Sequence, residues 1–161
     1  MNTELNQLLD EEHQLQFSQF NNETAWQLGS IIKNNAEQLD AKIAIDITVN
    51  GQQLFGYAMQ GSTIDNLAWI KRKQNVVHRY QHSSWYMGLY YKNKGKSIEE
   101  ASFVDSKHYA PFGGSFPLSV RGVGVIGSIT VSGLPQYQDH LLLTQSIRQL
   151  LEREKDTDLR Q

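Results

Sequence analysis

The chain has 161 residues, with 15 Lys and Arg against 17 Asp and Glu, a net charge of −2 and a charged fraction of 20%. That is the length of one domain with a substantial core, without the basic excess of a nucleic-acid binder or the composition of a disordered tail. Cysteine is absent, which excludes a disulfide framework, a thiol nucleophile and zinc–thiolate or iron–sulfur ligation. The first residues lack a cationic start followed by an apolar stretch, and no apolar run reaches the roughly 18 residues of a membrane span. The expectation is a single cytoplasmic domain over residues 1–161 with no membrane partner.

Along the chain, Leu5, Leu8, Leu9 and Leu15, then Ala25, Gly29, Ile32, Ala36 and Leu39, recur at helical steps, which predicts two helices, the second capped by Asn22. The period changes at Ile43-Ala44-Ile45-Asp46-Ile47-Thr48-Val49, where large β-branched residues alternate with smaller or polar ones. Asn50-Gly51 then supplies a type I′ turn before Gln52 to Tyr57, so a β-hairpin is predicted. Ser62 or Thr63 caps a helix over about 65–80 that carries Lys71-Arg72-Lys73. Residues 81–112 are aromatic-rich without a clean period, apart from a short capped helix at Ser97-Ile98-Glu99-Glu100. Phe116 to Val120 and Val123 to Ser132 read as strands joined at Arg121-Gly122, with Pro117 favouring an edge or a strand start. Pro135 near the first turn and the stripe Leu143, Ile147, Leu150 and Leu151 predict a closing helix. This order of elements is α+β rather than a regular βαβ alternation.

Four motifs carry chemistry on paper. Gly122-Val123-Gly124-Val125-Ile126-Gly127 spells G-x-G-x-x-G, but a strand follows where a dinucleotide site needs a helix, so the glycines read as turn and sheet packing. His78 and His82 stand at i and i+4, yet Arg79 follows where a zinc protease holds its Glu, and a solvated helix face is the better reading. Arg72, Asn75 and Arg79 form a stripe that could receive a carboxylate or phosphate, against the simpler reading of a solvated basic face. Ser115, Ser132 and the Asp139-His140 pair do not make a hydrolase triad, because no G-x-S-x-G elbow is present and adjacent side chains cannot orient each other as a triad requires.

Several segments together resemble one family. They are Thr63-Ile64-Asp65-Asn66 with Trp69-Ile70-x-Arg72-Lys73, Ser83-Ser84, Gly113-Gly114-Ser115-Phe116-Pro117-Leu118, the run Gly124 to Pro135, and Asp139-His140. In this order they are similar to the haem-degrading-domain (GlcG/HbpS-like) family, in its branch of small uncharacterised cytoplasmic proteins. The resemblance implies a profilin-like α+β fold, a five-stranded antiparallel sheet flanked by helices, and assembly into homo-oligomers. That branch shows a His immediately before the Gly-Gly pair; here Phe112 stands there, with His108 four residues earlier.

Three functional readings follow. The leading one is an oligomeric scaffold or adaptor with a protein partner and no chemistry, since the chain offers no self-consistent acid, base and nucleophile. The second is a binder or enzyme for a small anionic ligand, captured by Arg72, Lys73 and the Gly113-Gly114 amides. The third is weak haem binding or degradation, with haem as candidate cofactor and His78, His108, Tyr109 and Arg72 as the available residue types. The candidate ligand-binding residues are Arg72, Lys73, Ser83, Gly113, Gly114 and Ser132, expected to converge in space although dispersed in sequence. No metal site and no catalytic residue is assigned.

Overall fold

The computed structural model describes residues 2–160. The first helix, α1 (Thr3–Gln14), is capped by the Asn2 carboxamide and buries none of its residues. The second, α2 (Asn22–Gln38), is capped one residue earlier than expected: Asn21 accepts from the Thr24 amide at 3.0 Å, and the Thr24 hydroxyl accepts from the Asn21 amide at 3.2 Å. This reciprocal pairing satisfies two otherwise orphaned donors and fixes the helix start. Ala25, Gly29, Ile32 and Ala36 are buried along it. Leu39 lies beyond the last turn and is exposed.

The hairpin forms as read. Strands β1 (Ala44–Val49) and β2 (Gln52–Ala58) are joined by Asn50 and Gly51 at φ of 50° and 82°, the positive values a type I′ turn requires. Strands β3 (Ser115–Val120) and β4 (Gly124–Ser132) complete an antiparallel sheet of order β2-β1-β4-β3. Pro117 accordingly sits on an edge strand, where a missing donor costs no ladder bond. The glycines from Gly122 to Gly127 run from the turn straight into β4, and no helix opens on them.

The expectation of five strands is corrected to four among the described residues. Beyond β3, where another strand could add, the chain at Phe17 pairs for a single residue with Val120. Two backbone bonds of 2.8 Å hold it, from the Phe17 amide to Ser119 and from the Arg121 amide to Phe17. Leu15 and Phe17 both bury their side chains in the core, and the pairing extends no further than this one bridge.

Register gives the sheet two unlike faces. Ile45, Ile47, Ile129, Val131, Phe116 and Leu118 share one face and pack with α2 and with Leu142, Leu143, Ile147 and Leu150 of α6 (Gln136–Leu159). The opposite face carries Asp46, Thr48, Ser115, Ser128, Thr130 and Ser132, all buried. Such alternation normally marks a solvated face; here it is covered by α3 (Ile64–Tyr80), which places Lys73 and Asn66 against β4. The polar side chains pair beneath the helix, Ser115 with Thr130 at 2.8 Å and His78 with Ser128 at 2.8 Å, as burial demands.

Helix α4 (Ser84–Lys94) is not legible from its aromatic run. It packs on several sides at once, Met87 and Tyr91 into a second apolar cluster with Val76 and Ile98, and Trp85 toward Tyr137 and His140. A helix covered on several sides has no single apolar stripe to find. Its ends carry ordinary signals: Ser83 accepts from the Tyr86 amide at 3.0 Å, and Gly95 closes it at φ 67°. The short α5 (Ile98–Ser102) bears the expected Ser97–Glu100 capping box. No helix of the described residues is long and apolar enough to cross a membrane.

Candidate functional site

The segment 110–114, the β4 end and the first turns of α3 and α6 meet around an open cleft of about 350 Å³. Beneath it lies a buried ion pair. Lys73 and Asp139 are 3% and 2% exposed, and Lys73 Nζ stands 3.3 Å from Asp139 Oδ2. The same ammonium donates to the carbonyls of Gly113 at 3.1 Å and Val131 at 2.5 Å. Its three N–H groups thus meet three acceptors, leaving none for a ligand. The other carboxylate oxygen, Asp139 Oδ1, accepts from the Leu134 amide at 3.0 Å.

Burial dominates the protonation of both partners. Desolvation holds the Lys73 ammonium below the usual lysine range, against the attraction of Asp139. It pushes the Asp139 carboxyl up to about 6, with Lys73 and the Leu134 amide opposing the rise.

The Gly-Gly pair is shaped by this ion pair. Gly114 has φ 129°, and a Cβ there would overlap Lys73 Nζ and approach the Val131 carbonyl to 2.7 Å. A Cβ at Gly113 would run into the Gln136 carbonyl. Both positions therefore need a residue without a side chain, Gly114 for backbone conformation as well. The Gly113 amide is already engaged, donating to Gln136 Oε1 at 3.0 Å.

The walls are aromatic and amide. Trp69 and Phe112 meet edge to face with centroids 5.7 Å apart. Asn66 Nδ2 donates to Ser132 Oγ at 3.3 Å, while Asn66 Oδ1 accepts from the Thr63 amide at 2.8 Å. The groups facing the cleft are thus the Ser132 hydroxyl, the Gln136 amide and two indole and phenyl surfaces, with Asp65 at the rim.

Of the six residues singled out in sequence, Lys73, Gly113 and Ser132 line this cleft and Gly114 packs directly on Lys73. Arg72 lies alongside but faces elsewhere. Its guanidinium stacks 4.4 Å from the Trp69 ring centre and donates to the Ser106 carbonyl at 2.8 and 3.1 Å. Asn75 of the same stripe donates to the His108 carbonyl at 2.9 Å, so the stripe fastens the 104–110 loop. Ser83 is apart from the cleft, capping α4, its amide 3.3 Å from Glu12 Oε2. Asn66, Trp69, Gln136 and Asp139 have no role assigned from sequence, although all but Gln136 stand inside the motif blocks. His140 turns away from Asp139 and bonds Glu11 at 3.0 Å through Nε2. His78 and His82 likewise part, to Ser128 and to Glu12, and no three His, Asp or Glu groups among the described residues cluster for a metal.

Residues 20–148 match the model of a family described as haem degrading protein HbpS-like. A UPF0303 protein of Streptomyces coelicolor is 46% identical over 145 residues, 90% of this chain and 92% of its own length. Another, from Yersinia enterocolitica, is 48% identical over 134 residues, 83% of this chain and 80% of its own. Among solved structures, the Ybr137w protein superposes with a TM-score of 0.87 at 36% identity, covering 96% of this chain and 91% of that one. A PduOC:heme complex superposes with a TM-score of 0.66 at 19% identity over 77% of this chain and 89% of that one, a likeness of fold.

Proposed function

The chain belongs to the HbpS-like family, and from that premise we propose that it is a non-catalytic ligand-binding scaffold whose Trp69–Phe112 cleft takes a small, flat, polar molecule. The observation that carries this reading is the saturation of Lys73. With all three of its N–H groups bonded inside the protein, the ammonium and the Asp139 carboxylate act as a structural clamp, and what faces the cleft is a recognition set of amide, hydroxyl and aromatic surfaces. Anion capture through Lys73 or the Gly113 amide would have to break bonds those donors already make, and Arg72, which gives Nε and Nη2 to Ser106, is not among the residues lining the cleft. Lys73, Gly113, Gly114 and Ser132 belong to the site on this reading, with Arg72 supporting it through the Trp69 ring.

Haem, named in the family's description, does not fit this cleft as a ligated cofactor. Its lining residues include no imidazole, thioether or phenol, and the sole amine is the engaged Lys73. We take the domain to be profilin-like, cytoplasmic and homo-oligomeric. Helices on both faces of an antiparallel sheet support the first, and the absence of cysteine agrees with the second. Exposed Trp26, at 63%, and Tyr57, at 41%, beside the unpaired edge of β2 support the third.

The test is a fragment screen by ligand-observed NMR on wild type and on Trp69→Ala and Ser132→Ala. Hits lost in both variants support the cleft. Absence of any hit that depends on either residue overturns it, and a haem titration with the Soret band of ligated haem that is lost in Trp69→Ala overturns the exclusion of ligated haem from the cleft.

A further inference from the structure

A second cavity, of about 290 Å³, lies between α3, α4 and α5 and shares no residue with the cleft: it is walled by Tyr80, Tyr86, Tyr90 and Tyr91 over Met87. Tyr86 and Tyr90 stack with centroids 6.1 Å apart and 25° between planes, while Tyr91 stands at 78° to Tyr90 and 79° to Tyr80. An entering ring would therefore meet both faces and edges, the geometries aromatic pairs favour. Its size is at the lower end of ligand pockets, roughly 300–1,000 Å³, which suits one or two rings and not a macrocycle.

The Tyr91 and Ser102 oxygens are paired at 2.7 Å in the wall, and the Tyr80 hydroxyl is shielded from the cavity, set against Tyr91 and Arg79. One further observation sets the ligand's chemistry, a cation at the rim. Lys94 Nζ lies there 4.6 Å from the Tyr90 ring centre, and it forms no salt bridge among the described residues. The neighbouring carboxylate, Glu12, is occupied by His82 Nδ1 at 2.9 Å and the Ser83 amide at 3.3 Å.

We propose that this tyrosine-walled cavity is a second binding site, for a one- or two-ring aromatic carboxylate that sets its rings among the tyrosines and pairs its carboxylate with Lys94. It is independent of the Trp69 cleft. The test is calorimetric titration of the full chain with 1-naphthoate and with its uncharged analogue 1-naphthamide. Naphthoate is expected to bind one to one and about tenfold tighter than the amide, with Lys94→Gln weakening it about tenfold. Trp69→Ala should leave it unchanged. Absence of saturable binding, equal affinity for acid and amide, undiminished affinity in Lys94→Gln, or loss of binding in Trp69→Ala would each overturn the proposal.

Discussion

Lys73 Nζ and Asp139 Oδ2 stand 3.3 Å apart across 66 residues of sequence, both side chains almost wholly out of water. The contact joins α3 to α6 and, through the carbonyls of Gly113 and Val131, to the start of β3 and the end of β4. Removing one partner leaves the other charge buried and alone, a loss of about 3–5 kcal/mol. Lys73→Met and Asp139→Leu should each cost that much in urea unfolding, and the double variant should cost clearly less than the two added together. Strict additivity would show that the two side chains do not depend on each other.

The pH dependence of this pair has an unusual sign. Asp139 titrates at about 6 in the folded chain because burial disfavours its charge, against 3.8 for an aspartate in water. Between those values the folded state holds more protons than the unfolded one, so stability contributed at this site is present below about pH 4 and falls as pH rises to about 6. The wild-type advantage over Asp139→Asn should shrink across that window by on the order of 2–3 kcal/mol, since each tenfold difference in proton affinity is worth ~1.4 kcal/mol. An advantage that grows with pH there would show a carboxylate stabilised in place.

Gly114 ties the loop to the ion pair. Alanine at φ 129° would be strained, and its methyl would occupy the space of Lys73 Nζ. Gly114→Ala should destabilise by about 2–4 kcal/mol, whereas Gly51→Ala, with φ 82° but nothing within 4 Å, should cost about 1 kcal/mol from backbone strain alone. Thermal melts of the two variants give the comparison; similar losses would remove steric exclusion by Lys73 as the cause.

What can be read from sequence follows from how local each signal is. Asn50-Gly51 between alternating strands and the Ser97–Glu100 box act within a few residues, and both form as expected. Helix α4 hides because its aromatics face several neighbours, and in place of a fifth strand the chain at Phe17 makes a single bridge to Val120. Lys71-Arg72-Lys73 looks like one basic run. Successive helical residues turn by about 100°, so Lys71 is exposed, Arg72 grips the Ser106 carbonyl and Lys73 is buried. No local pattern marks which of three cations goes inside, since the choice rests on Asp139 at the start of another helix. The family motif blocks do contain Asn66, Trp69 and Asp139, but as letters without roles.

Arg72 offers a last discrimination between binding and architecture. Its two bonds to the Ser106 carbonyl, the Ala110 amide bonded to the Arg72 carbonyl at 3.0 Å, and the Asn75 bond to His108 hold the 104–110 loop on α3. That loop leads into Phe112 and Gly113, so its position decides where one wall of the cleft stands. Arg72→Ala should keep the fold while losing about 1–2 kcal/mol from the carbonyl bonds and the indole stacking. Amide hydrogen exchange should rise severalfold over residues 104–112 and stay near wild type in β1 and β4. Arg72→Lys should recover little, because a point charge cannot present two parallel donors and a flat face at once. Unchanged exchange in the loop would mean that Arg72 is free to serve a ligand, and anion capture at this residue would then be the better account.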